Sequence, residues 1–230
     1  MDPAAADWTR VDDYLADLLV GHDPELEAVF VAQEREGLPA IEVAPVAGKL
    51  LNLLVRMCGA RRVLEIGTLG GYSTIWLARG LPAGGEVVTI EAEPHIAAIA
   101  RADVDAAGVG DRVRILEGRG EHVLPTLAAP IADGTAAPFD LVFVDADKES
   151  TELYLDWAAR LGRVGTVVVV DNVVRDGAVA DPEHTHPQIE GIRRGLRMLR
   201  DDPRFDATAL QTVGVKGWDG LAIALVVTGS

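Results

Sequence analysis

Short apolar runs alternate with helix-length stretches through the middle of the chain. Five runs rich in Val, Ile and Leu follow residue 61, and each is too continuously apolar for a strand with one exposed face. Intervals of roughly 20 to 25 residues separate them, which is enough for a crossover helix. Buried strands joined by helices form βαβ units around a parallel sheet. The predicted strands are residues 63–66, 87–90, 113–116, 141–144 and 167–170.

The pattern changes on both sides of this central region. Before it, apolar residues recur at helical spacing, and after it a basic helix precedes two strand-like runs that predict a terminal hairpin. A hairpin added to five parallel strands leaves one strand antiparallel, which mixed sheets tolerate near an edge. The predicted helices are residues 7–20, 24–36, 46–58 and 189–199, and the hairpin strands are residues 207–213 and 221–227, with the turn-rich segment 214–220 between them.

Together these elements predict a single α/β domain. A chain of 230 residues, 49% of them hydrophobic, can bury one sizeable core. We expect a Rossmann-like, doubly wound, mostly parallel seven-stranded sheet with an antiparallel C-terminal strand. Residues 1–60 form an N-terminal helical segment of the same domain, and residues 61–230 carry the sheet.

The charge balance narrows the range of partners. Thirty-six acidic residues against 21 basic ones give a formal net charge of -15, which repels phosphate backbones and anionic lipid headgroups. We therefore expect no nucleic-acid partner and no membrane partner. No basic leader precedes an apolar stretch at the start, and the apolar runs are too short to span a bilayer. A cytoplasmic location is expected.

Cysteine and histidine give weaker signals. Cys58 is the only cysteine, so no internal disulfide can form, and its helical context favours a core residue over a reactive thiol. His184 and His186 lie in a Pro-bounded loop where zinc ligation is conceivable, but no cysteine or third histidine completes a ligand set. We interpret both histidines as solvated loop residues.

A glycine-rich turn follows the first predicted strand, in the segment EIGTLGGYS that starts at Glu65. Its G-x-x-G-G spacing differs from the G-x-G-x-x-G of dinucleotide sites, and an acid beside it suits an anionic pyrophosphate poorly. Glu91 ends the second strand, where a carboxylate can accept hydrogen bonds from ribose hydroxyls. A cationic nucleoside without phosphate fits both Glu65 and Glu91. The alternative is that the glycines only form a tight turn and that Glu91 is a solvent-exposed strand end.

Acidic and amide side chains end the fourth and fifth strands. Asp145 follows one, and Asp171 and Asn172 follow the other. Adjacent parallel strands lie about 4.8 Å apart, so these groups can converge above the sheet. Two carboxylates and an amide oxygen suit a hard divalent cation such as Mg²⁺, and open positions on such an ion would activate a phenol hydroxyl.

Lys148 stands three residues after Asp145 and is a candidate general base. An ammonium near a bound cation is driven towards the neutral amine, which can accept a proton from an acceptor hydroxyl. The alternative is a surface lysine in an acidic loop.

Four segments carry a resemblance to a known family: RRVLEIGTLGGYST (61–74), TIEAEP (89–94), DLVFVDADK (140–148) and VVVVDNVV (167–174). Together they resemble the cation-dependent class I O-methyltransferases of the catechol and caffeoyl-CoA type, and the similarity extends from Ile41 to the C-terminus. The resemblance implies that residues 61–230 are a methyltransferase domain that uses S-adenosylmethionine. The implied reaction is direct, in-line methyl transfer to a hydroxyl of a small catechol-like or other phenolic acceptor.

The resemblance also implies individual roles. It places S-adenosylmethionine on Val43, Glu65, Gly67, Thr68, Ser73, Glu91, Gly120 and Asp147, with Glu91 on the ribose. Metal ligation falls to Asp145, Asp171 and Asn172, with Mg²⁺ expected and Ca²⁺ or Mn²⁺ as alternatives. Lys148 and Asp145 are the implied catalytic residues, and the family suggests a homodimer.

Several alternatives stay open at this point. A CoA-thioester acceptor fits less well, because plant caffeoyl-CoA enzymes usually carry an aromatic residue where this chain has residues 173–175, and because the chain is acidic. A tRNA acceptor would need a local basic patch, for which Arg193, Arg194, Arg197 and Arg200 are the candidates. A nucleotide-dependent oxidoreductase lacks its glycine spacing here, and a degenerate S-adenosylmethionine-binding module is the non-enzymatic possibility.

Overall fold

Eight helices and seven strands occupy the part of the chain that the structure, a computed structural model, describes, namely residues 3–229. The predicted domain limits at residues 1 and 230 lie outside it. The helices are α1 (Pro3–Leu19), α2 (Pro24–Arg35), α3 (Pro45–Met57), α4 (Tyr72–Gly80), α5 (Pro94–Ala106), α6 (Gly120–Ala132), α7 (Thr151–Leu161) and α8 (Pro187–Asp201). The strands are β1 (Arg62–Ile66), β2 (Glu86–Glu91), β3 (Val113–Glu117), β4 (Leu141–Val144), β5 (Val167–Asp171), β6 (Phe205–Gly214) and β7 (Gly217–Val226).

The strands form one sheet in the order β3-β2-β1-β4-β5-β7-β6. The first five strands pair in parallel, and β7 runs antiparallel between β5 and β6. The predicted fold is confirmed, including its single antiparallel strand. Strand order reverses between β1 and β4, so the loops after these strands diverge and leave a crevice at the carboxyl edge of the sheet.

Successive side chains of β1 point to opposite faces of the sheet, so helices must cover both faces. Leu64 and Ile66 pack into the core formed with α6, α7 and α8, whereas Val63 packs into the opposite core with α3, α4 and α5. The prediction that all five parallel strands are buried on both faces fails for β3. That strand is half-exposed because it ends the sheet and has a neighbouring strand on one side only.

The terminal hairpin is longer than predicted. We expected residues 214–220 to form its turn, but the pairing of β6 with β7 continues to Gly214 and Gly217. Val215 and Lys216 alone make the turn. Pairing of β7 with β5 ends at Leu221, but the residues nearer the turn still pair with β6. This pairing satisfies their backbone hydrogen bonds, so the hairpin extends beyond β5. Within residues 3–229, no helix combines the length and apolar character needed to cross a bilayer.

Candidate active site

A cavity of about 480 Å³ opens at the carboxyl edge of the sheet, above the ends of β1, β2, β4 and β5. Most of the residues predicted to form the site meet there, although they are distant in sequence. Val43, Gly67, Thr68, Ser73, Glu91, Gly120, Asp145, Asp147, Lys148 and Asn172 line the cavity, whereas Glu65 and Asp171 do not.

Gly67 makes the turn after β1 possible. Its φ of +102° lies in the left-handed region, and a Cβ built on it would lie 2.2 Å from the carbonyl oxygen of Asp145. Only glycine combines that backbone angle with so close an approach. Gly71, with φ +84°, then starts α4 without a side-chain cap. The β1–α4 turn therefore passes directly beside the β4 loop and presents backbone to the cavity.

Glu91 holds this turn in place. Its Oε2 accepts hydrogen bonds from the backbone N–H groups of Thr68 at 3.3 Å and Leu69 at 3.0 Å, and its Oε1 accepts one from Glu93 at 3.1 Å. The carboxylate is buried at the cavity wall. A carboxylate oxygen has more than one lone-pair direction, so capacity remains for a ligand hydroxyl.

Glu65 is entirely buried beneath the turn. Ser73 Oγ donates a hydrogen bond to its Oε1 at 2.6 Å, and Thr74 Oγ1 donates to its Oε2. Burial raises the pKa of Glu65 to about 7, although both hydroxyls favour the charged form. Glu65 therefore orients Ser73 from behind the wall and does not line the cavity itself.

This burial makes the stability of the protein depend on pH. Because the folded pKa of Glu65 lies above its ordinary value of 4.5, the folded state keeps a proton that the unfolded state loses between about pH 4.5 and 7. The free energy of unfolding should fall across that window as pH rises, by up to roughly 3 kcal/mol. A Glu65→Gln variant should lack this component in denaturant titrations from about pH 5.5 to 8. The exposed matched control Glu152→Gln should retain it, and equal slopes for all three proteins would contradict the prediction.

The candidate metal cluster combines side chains from two strand ends. Asp145 Oδ1 accepts a hydrogen bond from Lys148 Nζ at 2.8 Å, and the lysine is buried. Asp171 Oδ1 accepts from the backbone N–H of Asn172 at 2.8 Å. Asn172 has φ +59°, a backbone angle that non-glycine residues seldom adopt and that asparagine tolerates best.

The donor set fits a hard cation. Desolvation, and then the negative charge of Asp145, raise the pKa of Asp171 well above its ordinary value. A bound divalent ion would relieve that repulsion, and carboxylate and amide oxygens are the ligands it prefers. Among residues 3–229, no group of three or more His, Cys, Asp or Glu side chains is placed to hold a metal. The predicted ligand set thus contains only two acidic side chains, and its third member, Asn172, would contribute an amide oxygen.

Asp147 lies in the loop after β4, two residues beyond Asp145. It accepts hydrogen bonds from Ser150 Oγ and from the hydroxyl of Tyr154. Burial, and then that hydrogen bond, raise the pKa of Tyr154. The ring of Tyr154 lies against Gly120, where an added Cβ would be 2.7 Å from its Cε1 atom. Gly120 is thus required for packing, and Tyr154 is a cavity residue that the sequence did not reveal.

Other residues also line the cavity although they were not among the predicted donor, metal or catalytic residues. Gln33 Nε2 and Glu42 Oε2 are buried atoms without a hydrogen-bond partner among the described residues. Gln33 follows Leu26 and Val29 in the buried stripe of α2, so a polar residue in an apolar stripe was an available signal. Glu42 Oε1 pairs with Lys216 Nζ at 2.6 Å, a contact across 174 residues that no local pattern indicates. Arg175 and Gln188 complete this group.

The weaker sequence signals lie outside the cavity. Cys58 is half-buried at the end of α3, and burial raises the pKa of its thiol. His184 is exposed, and His186 caps α8 by accepting a hydrogen bond from the N–H of Gln188 at 3.3 Å. The four arginines of the candidate basic patch have carboxylate partners within 4.0 Å: Arg193 and Arg197 with Glu190, Arg194 with Glu152, and Arg200 with Asp201.

A doubly wound sheet with a glycine turn after β1 and an acid at the end of β2 has the arrangement of the S-adenosylmethionine-dependent methyltransferases. The family model described as O-methyltransferase matches residues 22–225. A catechol O-methyltransferase from Mycobacterium tuberculosis is 51% identical over 216 residues, 94% of each chain. Another catechol O-methyltransferase, from Niastella koreensis, is 47% identical over 219 residues, 95% of this chain and 97% of the relative.

Solved structures agree with these relatives. An O-methyltransferase from Bacillus cereus in complex with SAH superposes with a TM-score of 0.92 at 48% identity, covering 96% of this chain and 99% of the other. The O-methyltransferase TomG from Streptomyces achromogenes, in complex with SAM, superposes with a TM-score of 0.93 at 47% identity, covering 99% of both chains. The chain belongs to the O-methyltransferase family and is an enzyme that uses S-adenosylmethionine as its methyl donor.

Proposed function

We propose that this protein transfers the methyl group of S-adenosylmethionine to a hydroxyl of a small catechol-like or other phenolic acceptor, with the help of a divalent cation, Mg²⁺ before Ca²⁺ or Mn²⁺. One observation carries the proposal: Asp145, Lys148 and Asn172 meet in the same cavity as Glu91 and the glycine turn. A methyl donor and a hydroxyl acceptor can therefore lie side by side.

The donor would occupy the side of the cavity formed by β1 and β2. Glu91 would accept hydrogen bonds from the ribose, and Asp147 and Gly120 would border the purine. Gly67, Thr68 and Ser73 would contact the methionine end beside Val43, with Glu65 acting through Ser73. Negative charge on this side suits a sulfonium, which carries a positive charge and no phosphate.

Asp145, Asp171 and Asn172 would hold the cation. When bound, the ion supplies positive charge that favours the ionised form of an acceptor hydroxyl. Lys148, which contacts Asp145 at 2.8 Å, would take the proton from that hydroxyl through its neutral amine. The acceptor oxygen then attacks the methyl carbon in line, the bond from carbon to sulfur breaks, and S-adenosylhomocysteine leaves.

The acceptor class has support from two directions. Both the Mycobacterium tuberculosis and the Niastella koreensis relatives are named catechol O-methyltransferases. The charge of -15 and the ion-paired arginines of α8 both disfavour a polyanionic acceptor such as tRNA. A module that only binds S-adenosylmethionine would have no use for a buried lysine beside paired carboxylates.

The test is methyl transfer from labelled S-adenosylmethionine to catechol and to a hydroxycinnamate in the presence of Mg²⁺. We expect a methoxyphenol product and S-adenosylhomocysteine in equal amounts. Donor binding without turnover on any phenol would contradict the acceptor class. Absence of donor binding would contradict the donor site assigned here.

We also propose a cytoplasmic homodimer. Large apolar side chains of α1 are exposed in the single chain, including Val11, Tyr14, Leu18 and Leu19, each with more than half of its surface accessible. A second subunit would cover this face and remove it from water. Sedimentation equilibrium giving the monomer mass of 24.4 kDa would contradict the dimer.

A further inference from the structure

Arg175 is a cation of the cavity wall with no charged partner. Its side chain lines the same cavity as Lys148 and Asn172 and is half-buried. A guanidinium nitrogen, Nη2, donates a hydrogen bond to Gln188 Oε1 at 3.0 Å. Among residues 3–229, no carboxylate oxygen lies within 4.0 Å of this guanidinium, although acidic residues outnumber basic ones 36 to 21. A half-buried charge with only a neutral partner retains strong attraction for an anion.

The other cations that line the cavity differ in this respect. Lys148 pairs with Asp145 at 2.8 Å, and Arg119 pairs with Glu121 at 2.9 Å. Arg119 is also an exposed residue, so solvent screens its charge. Arg175 is therefore the cavity cation, within the described part of the chain, whose charge is left for a ligand.

The backbone at Arg175 is fixed by hydrogen bonds in an unusual conformation. Its φ is +52° and that of Asp176 is +54°, both in the left-handed region that side chains disfavour. Asp219 of β7 accepts hydrogen bonds on Oδ1 from the N–H groups of Val174 at 3.1 Å and Arg175 at 3.0 Å. Such backbone conformations persist where the surroundings impose them, and they are concentrated at functional sites.

The position of Gln188 places this group at the reacting end of the cavity. Gln188 lies in the first turn of α8, and one turn further on Gly191 packs against the loop after β4. A Cβ at Gly191 would lie 2.2 Å from the carbonyl oxygen of Lys148. The partner of the guanidinium thus lies at the start of the helix that packs against the Lys148 loop, and both Arg175 and Lys148 line the cavity.

We propose that Arg175, oriented by Gln188, is a carboxylate-binding subsite for the methyl acceptor. The acceptor would then be a phenol that carries a carboxylate, of the dihydroxybenzoate or dihydroxycinnamate class, and not a catecholamine. A guanidinium binds a carboxylate through two parallel charge-assisted hydrogen bonds, and the same positive charge repels an ammonium. This inference rests on the proposed function, because it names the acceptor of that reaction.

The test compares Arg175→Met with the wild-type enzyme on 3,4-dihydroxybenzoate, catechol and dopamine at saturating S-adenosylmethionine and Mg²⁺. For the wild type we expect the benzoate to have the highest kcat/KM. In the variant, kcat/KM for the benzoate should fall about tenfold to hundredfold, mainly through KM, because one partner of a charge pair is lost. Catechol should change little, and dopamine should improve. Arg175→Lys should restore part of the benzoate activity.

The matched control is Arg197→Met, which removes the same charge from an exposed position outside the cavity. Its acceptor preference should equal that of the wild type. An equal loss on all three acceptors, or no loss on the benzoate, would overturn the inference. Calorimetric binding of 3,4-dihydroxybenzoate in the presence of S-adenosylhomocysteine and Mg²⁺ provides a readout without turnover. Weaker binding to Arg175→Met supports the subsite even if no phenol is methylated, an outcome that would contradict the proposed function alone.

Discussion

Removal of the divalent cation is expected to lower methyl transfer to catechol at least about a hundredfold, and Asp171→Ala should have the same effect at ordinary Mg²⁺ concentrations. A cation at an ionising hydroxyl contributes several kcal/mol to the transition state, and each ~1.4 kcal/mol is a factor of ten in rate. Asp171 is the critical ligand because its carboxylate is desolvated and close to the charge of Asp145. Without a cation, that repulsion favours its protonated form, which is a poor ligand.

The measurement is kcat for catechol before and after chelation, followed by titration with Mg²⁺. Calorimetric titration with S-adenosylmethionine should give the same Kd for Asp171→Ala as for the wild type, because the donor is assigned to the side of the cavity formed by β1 and β2, whereas Asp171 ends β5. Asp111→Ala, which removes an acid at an exposed position, should behave as the wild type. Full turnover after treatment with chelator would contradict the proposed metal dependence.

Substitution of Lys148 should have the second large effect. For Lys148→Met we expect kcat to fall by roughly 10²- to 10⁴-fold, the range that a positioned general base contributes. The lysine is buried and contacts Asp145 at 2.8 Å, so a structural role in neutralising that acid has to be separated from proton transfer. Lys148→Arg makes the separation, because arginine keeps the positive charge but cannot lose its proton.

Both Lys148 variants should therefore have low kcat, and both should bind S-adenosylmethionine normally. Because neither methionine nor arginine can accept the proton of the acceptor hydroxyl, the two variants should be about equally impaired. Lys49→Met, on α3 with its ammonium 5.6 Å from the ring centre of Trp76, serves as the control and should keep the wild-type kcat. High activity in Lys148→Arg would assign the lysine to charge neutralisation.

The candidate site could be predicted largely because its chemistry lies at strand ends. Glu91 and Asp171 are the last residues of β2 and β5, and Asp145 follows β4 directly. A parallel sheet brings all such ends to one edge, so identifying the strands was enough to bring these groups together. Glu65 shows where this reasoning stops. It lies one position before the end of β1 and faces the core beneath the turn, which alternation along the strand decides.

The sequence by itself determined the class of fold and the number of strands, because apolar runs separated by helix-length intervals form a parallel sheet. It also determined the single antiparallel strand, because a hairpin added to such a sheet reverses the chain. Only the tertiary structure decided which partners the polar groups of the cavity have. Arg175 meets Gln188 from α8, and Glu42 meets Lys216 from the hairpin turn. Such contacts join segments far apart in the chain, and their energy depends on distance and desolvation in the folded state, which no local pattern of residues encodes.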